Sequence, residues 1–398
     1  MLNLSLTSLS STDELLHNAI STAEYYGFSP FESVPRSRAL RSNSATKLSP
    51  HDVVFVRRDE RPLVPLLNSC AWGGLCAQES PIFFWKQGST QKTGPNKHTT
   101  LELHILGVPS AIAEAMLITI AQAIARDVGL ERQVVRLNSI GAHDSSARFV
   151  RELSAYLRKN ASSIAETILT RLNDDPMGAF LTLAEKQNPI IMRAPQSMEF
   201  LNEEERKHLA QVLEYLEASD TYYELSPFVL GSRDCWTHTI FEVHGIHDST
   251  EVSIPFARGG RYDRLLSRSA GNPTTGAGMT LFFELTGTKV PKAEPTTPAT
   301  NITPLYFAHL GLEAKRRTLP ILESLRHAGI PVRQSLAHDH LSEQMAEVQG
   351  LGLPFVMIMG YKEATEGTVL VRNMLTNSQN AVPQDELVGY LRRRKIVA

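Results

Sequence analysis

Gly259-Gly260-Arg261-Tyr262-Asp263 is the stretch on which the fold turns. Ahead of it, Trp236 to Val243 is rich in β-branched and aromatic residues. Glu251 to Phe256 can return beside that run through a turn at Gly245 to Ser249, which predicts antiparallel strands leading into the glycines. Paired glycines allow close backbone approach, and Arg261 and Tyr262 after them can be read as pocket lining or as a structural pair at a strand end. Gly276-Ala277-Gly278-Met279 follows in the same glycine-rich style.

Toward the N-terminus the pattern becomes helical. Ser11 with Glu14 fits a capping box, followed by Leu15, Ala19, Ala23 and Tyr26 at helical spacing until Gly27 supplies a stop. Pro109 stands at a helix start, with Ile112, Ala115, Ile118, Ala121 and Ala125 as its buried stripe up to Gly129. Arg132 to Leu137 reads as a strand, and Asp144 is placed to cap the helix through Phe149, Leu153 and Leu157. Residues about 145–217 are helical by period and form an insertion between strands. Gln87 to Lys97, polar and containing Gly88 and Gly94, reads as a mobile loop.

Toward the C-terminus, 289–303 is a Pro, Thr, Ala and Lys segment without apolar period, read as a linker between a core at 1–288 and a domain at 304–398. Beyond it the predicted order is strand 305–310, helix 314–326, strand 331–335, helix 341–349, strands 355–359 and 368–373, and helix 384–394. That order implies an α/β sheet covered by helices. Arg392-Arg393-Arg394-Lys395 can meet RNA phosphates or complement the dipole of the last helix.

Composition excludes several classes. The 398 residues carry a net charge of −2, so no global field draws the chain to nucleic acid or membrane, and any such contact is a local patch. Cys70, Cys76 and Cys235 form no even-numbered disulfide framework and no usual zinc spacing. No signal-like start and no long apolar span is present, so a soluble, cytoplasmic protein without a membrane partner is expected. His238 and His244 share a strand face too far apart to hold one ion without a bend, so no metal site is assigned.

From about Ala23 to Leu391 the chain resembles histidyl-tRNA synthetases of class II in the order of its landmarks. These are Tyr26-Gly27-Phe28 with Pro35, Leu137 to Gly141, Arg171-Leu172 with Asp175-Pro176, Gly259 to Asp263, Gly311 with Glu313, Leu325 to Ile330, and Gly360 with Glu363 and Gly367. The resemblance implies an α+β fold: a class II antiparallel sheet core with a helical insertion, plus a C-terminal α/β anticodon-binding-like domain. It also implies a homodimer built partly on the first landmark, tRNA as partner, and a pocket lined by Asp59, Gly259, Gly260, Arg261 and Tyr262, with Arg392, Arg393, Arg394 and Lys395 on the tRNA.

That family joins histidine to ATP as an adenylate, a step that concentrates negative charge and needs fixed cations, preferably the planar fork of arginine. Three arginine columns are altered here. The family's Arg-x-Glu appears as Lys86-Gln87-Gly88, its Arg-Gly-Leu-Asp-Tyr-Tyr as Gly231-Ser232-Arg233-Asp234-Cys235-Trp236, and its third arginine falls near Phe283. Arg57-Arg58-Asp59-Glu60-Arg61 keeps an acid at Asp59 but loses a threonine. No catalytic residue is assigned; Lys86 and Arg233 are the candidates, the latter read as lying on an extended strand roughly 7 Å from the lost column. Each lost donor costs about 3 kcal/mol of transition-state stabilisation.

Three functions follow from this pattern. The first is a family member with a degraded adenylation site that binds tRNA or a protein partner. The second is a working histidine–tRNA ligase with relocated cations at Lys86, Arg233 or Arg261, using ATP and Mg. The third is an amino-acid-binding regulatory subunit. Whether the chain is an enzyme stays open between them, and no cofactor is assigned outside the ligase reading.

Overall fold

The computed structural model describes residues 12–37, 40–53, 55, 57, 60–78, 80–91, 97–246, 253–284, 305–336, 338 and 340–397. The expected cap at Ser11, the candidate Asp59 and the predicted 289–303 linker lie outside these residues. Among the described residues, no helix is long and apolar enough to cross a membrane.

Helix α1 (Thr12–Tyr25) ends where Gly27 takes φ +95°, a conformation that costs a glycine little. It leads through β1 (Ser29–Pro30) and α2 (Leu63–Trp72) to the hairpin strands β2 (Ile82–Gln91) and β3 (Lys97–Leu106). The segment expected as a loop from Gln87 is therefore strand as far as Gln91, because Gln87 and Gly88 pair in register with Leu101 and Thr100. Next come α3 (Ile112–Asp127), β4 (Gln133–Ser139) and an insertion of α4 (His143–Lys159), α5 (Glu166–Leu169), α6 (Pro176–Glu185) and α7 (Glu203–Ala218). The chain then returns as β5 (Tyr223–Leu225), β6 (Thr237–Ile246), β7 (Ser253–Arg261), α8 (Asp263–Ala270) and β8 (Gly276–Glu284).

These strands form one eight-stranded sheet in the order β1-β2-β3-β8-β7-β6-β4-β5, antiparallel except for the outer pairs β1 with β2 and β4 with β5. Successive strand residues face opposite sides. Leu101, Leu103 and Ile105 of β3, Phe241 and Val243 of β6, and Met279, Leu281 and Phe283 of β8 join one core with α3, which is buried at every position from Ile112 to Ala125. The intervening residues face the other side, beneath α2 and the insertion.

Asp144 does not cap α4. The helix begins at His143, and the Ala142 N–H donates to Glu205 Oε1 at 2.7 Å, so a carboxylate of α7 does that work while also closing its own capping box with Asn202.

The remaining elements are β9 (Leu305–His309), α9 (Leu312–His327), β10 (Val332–Gln334), α10 (Leu341–Gly350), β11 (Phe355–Met359), α11 (Tyr361–Glu366), β12 (Thr368–Asn373), β13 (Gln379–Pro383) and α12 (Leu387–Arg393). They build a five-stranded sheet in the order β10-β9-β11-β12-β13. The α/β alternation holds, with two elements that periodicity did not indicate. Helix α11 is one short capped turn between Gly360 and Gly367, and β13 is an exposed edge strand with only Val382 buried.

The two sheets are clasped together beside α1. Tyr25 Oη donates to the carbonyls of Leu322 (3.2 Å) and Ile330 (3.1 Å), and Tyr26 Oη to Glu323 Oε2 (2.8 Å). Arg326 grips both carboxylate oxygens of Asp127 at 2.8 and 3.0 Å, and Arg126 reaches Glu323 at 3.1 Å. Within this chain, the first landmark therefore packs against α9. Replacing Arg326 by alanine removes charge-assisted bonds on both sides of the clasp and is expected to cost about 2 kcal/mol, read as a lower thermal midpoint.

Candidate active site

The glycine strand is held from behind the sheet. Arg261 is 1% exposed and its side-chain donors are all engaged. Nε and Nη2 bond the two oxygens of Glu114 at 3.0 and 2.7 Å, Nη1 the Val108 carbonyl (3.0 Å) and Asp263 Oδ1 (3.4 Å), and Nη2 also the Ser110 carbonyl (3.1 Å). A guanidinium has five N–H groups, and five bonds are made. Glu114, wholly buried on α3, also bonds His208 Nε2 at 2.7 Å. Burial alone would raise its carboxyl pKa, but the Arg261 charge and the His208 hydrogen bond hold it well below the carboxylate range.

The paired glycines answer a packing demand. A Cβ on Gly259 would stand 2.5 Å from the Gly278 carbonyl oxygen and 2.6 Å from Phe241, and one on Gly260 2.7 Å from the Thr239 carbonyl oxygen. Tyr262 is fully buried. Its hydroxyl donates to the Ala277 carbonyl at 3.0 Å and meets His104 Nδ1 at 2.9 Å; since the hydroxyl proton is used, Nδ1 is the protonated nitrogen of His104. The opposite nitrogen, Nε2, has no hydrogen-bond partner among the described residues and lies 3.8 Å from Glu102.

Strand register gathers the polar residues on the insertion side of the sheet. Lys86 pairs with Glu102, Glu102 with Thr280, Thr280 with Arg258, and Arg258 with Glu242. Lys86 Nζ lies 5.7 Å from the Phe31 ring centroid. Three of the basic side chains converge on one carboxylate: Arg258 Nε bonds Glu242 Oε1 at 2.8 Å, Arg57 reaches the same oxygen at 3.4 Å, and His244 meets Oε2 at 2.9 Å. Burial works to raise the Glu242 carboxyl pKa; the His244 hydrogen bond and the Arg258 and Arg57 charges outweigh it and hold it at about 2. Gly88, the position without a carboxylate, lies under one from the next strand, for a Cβ there would be 2.9 Å from Glu102 Oε1.

At the pocket's inner end Glu60 is 2% exposed and accepts four bonds. These come from Trp236 Nε1 (2.7 Å), Ser232 N (3.0 Å), Ser232 Oγ (2.5 Å) and Arg57 N (3.2 Å). Burial nevertheless pushes its carboxyl pKa up. The Trp236 indole and Glu60 cover Gly231, where any Cβ would stand 2.5 Å from Glu60 Oε1 and from Trp236 Nε1. A cavity of about 20 Å³ is left between Glu60, His104, Trp236, Arg258 and Thr280. That volume suits a single water.

The candidate Arg233 is not on a strand. It sits exposed in the turn before β6 and lines a different recess, of about 150 Å³, with Asp174, Asp175 and Met177 of the insertion, because the chain bends to seat Trp236 inward. Phe283 is fully buried on the α3 side, edge-on to Phe256, so the third column faces the core; its neighbour Phe282 faces the pocket. Arg392, Arg393, Arg394 and Lys395 are all exposed at the end of α12, with Arg392 bonded to the Ala328 carbonyl and Arg394 over the Tyr390 ring.

A family model described as the anticodon binding domain matches residues 311–394. The histidine–tRNA ligase of Thermosynechococcus vestitus is 28% identical over 289 residues, covering 73% of this chain and 67% of that protein. The one from Listeria innocua is 25% identical over 317 residues, covering 79% and 74%. The apo histidyl-tRNA synthetase of S. aureus superposes with a TM-score of 0.52 at 19% identity, covering 98% of each chain. The mixed sheet with its helical insertion and the terminal module define a class II aminoacyl-tRNA synthetase architecture. Within that class, the chain is similar to histidine–tRNA ligases over about three quarters of its length.

Sequence reading missed Glu60, Arg57, Glu242 and Arg258 as site residues. Glu242 stands in a run read as a strand, but Arg258 lies two residues beyond the returning run Glu251 to Phe256, and only the observed extent of β7 brings the two into register. Replacing Glu114 with glutamine leaves Arg261 charged in a dry core and is expected to destabilise the fold by about 3–5 kcal/mol, measured by denaturant unfolding. Glu242 predicts acid sensitivity. Its folded pKa lies below the ordinary 4.5, so its contribution is full above about pH 4.5 and fades as pH falls toward 2. Unfolding midpoints taken across that window are expected to fall for the native chain and to flatten in Glu242→Gln.

Proposed function

We propose that this chain no longer activates histidine and that its retained work is binding tRNA, as a homodimer in the cytoplasm. The observation that carries the reading is the closure over Gly231. The family's catalytic arginine column is glycine here, and Trp236 and Glu60 leave no room for a longer side chain or for a ligand beside it. Arg57 and Arg258 near the pocket are matched by Glu242, so a polyphosphate bound to them would have to displace a buried carboxylate. Binding of tRNA is supported by the anticodon-domain match at 311–394 and by the exposed basic run Arg392 to Lys395 at its end.

A second reading is favoured by one observation. Lys86, Arg57 and Arg258 lie on the pocket face, a set of cations that an active histidine–tRNA ligase could use with ATP and magnesium as co-substrates. Histidine-dependent pyrophosphate exchange decides between the two readings. Exchange at background is expected; exchange above background that falls about 100-fold in Arg258→Ala would establish the ligase. For the RNA half, affinity for tRNA is expected to fall steeply with salt and to exceed that for unrelated RNA. Alanine at Arg392 and Arg393 should make the logarithmic salt slope shallower by about 1–2. Binding without salt dependence or tRNA preference would leave a protein partner as the better account.

A further inference from the structure

We propose that Trp236 occupies an aromatic subsite of this pocket as an internal ligand, so that the space under its indole is a latent site for a planar aromatic N–H donor. The inference rests on the closed-site reading and adds what closes the site and what chemistry would fit it.

The surroundings of the indole have the form of a recognition slot. One end carries a single directed acceptor, Glu60 Oε1, at 2.7 Å from the indole N–H. The backbone is bare beside the ring at Gly231 and at Gly260, where a Cβ would come to 3.0 Å of the indole Cε3. The Tyr262 ring supplies a tilted aromatic wall at a centroid distance of 6.4 Å. A core that needed only filling would do better with an apolar side chain, since a buried carboxylate has a desolvation cost even when well bonded. Glu60 instead receives three further hydrogen bonds, from Ser232 and from the Arg57 backbone, which fix its orientation whether or not the indole is there. The acceptor is therefore pre-positioned, and the indole lines the residual cavity beside it.

The test is calorimetric titration of Trp236→Ala and of the native chain with indole and with indene, which has the same shape without the N–H. Saturable indole binding to Trp236→Ala, preferred over indene by about tenfold and absent from the native chain, is the expected result. Equal binding of the two probes, no binding by a folded variant, or equal indole binding by the native chain would each overturn the proposal. If the alanine variant fails to fold, thermal unfolding in indole becomes the readout. Recovery of a cooperative transition supports the proposal, and failure to recover it overturns it. Pyrophosphate exchange by the native chain tests the closed-site reading separately, so a failed titration beside absent exchange sinks this inference alone.

Discussion

The ion pair between Arg261 and Glu114 is the interaction around which the core is organised. Both side chains are essentially out of water, where an unpaired charge is intolerable, so each must find its partners in the protein. Their bonds reach from β7 to α3, to the backbone at Val108 and Ser110, and through His208 to α7. One guanidinium thereby sets the spacing of the sheet, the helix behind it and one end of the insertion. The paired glycines ahead of it allow β7 to lie against β8 and Phe241 closely enough for the arginine to reach α3.

The insertion side of the same sheet shows a polar site satisfied from within. Glu242 draws Arg57, Arg258 and His244 onto one carboxylate, and Glu60 is saturated by Ser232, Trp236 and Arg57. A site prepared for polyphosphate would keep positive charge unmatched until the ligand arrives, because preorganised charge is what stabilises the reacting phosphates. Here Arg57 and Arg258 are matched by the protein's own Glu242. A ligand would have to compete with bonds already formed in a low-dielectric setting, where such bonds are stronger than in water.

Much of the architecture was legible because it rests on local rules. Gly27 ending α1, the apolar stripe of α3, the β-rich run at Trp236 to Val243 and the α/β alternation after residue 304 all express periodicity or conformational preference. Those properties reside in neighbouring residues. The failures have a common form. Asp144 had the right chemistry for a cap, but Glu205 from another helix reached the N–H first. Gln87 to Gln91 had loop composition, but a partner strand in register made it β. Helix α11 and β13 were too short for a period to declare itself.

The altered arginine columns could be seen in the sequence alone, since they are a matter of which residue stands where in a recognised order. That order determined the resemblance, the sheet and its insertion, and the absence of guanidinium groups at Gly231 and Phe283. Tertiary structure alone decided what fills the space they leave. Whether Trp236 turns inward, whether Arg233 faces the insertion, and which acids meet Arg57 and Arg258 depend on contacts between residues far apart in the chain, 176 positions for Glu60 and Trp236. Packing and desolvation act on side chains that meet in space, and their outcome is fixed only when the strands and helices have come together.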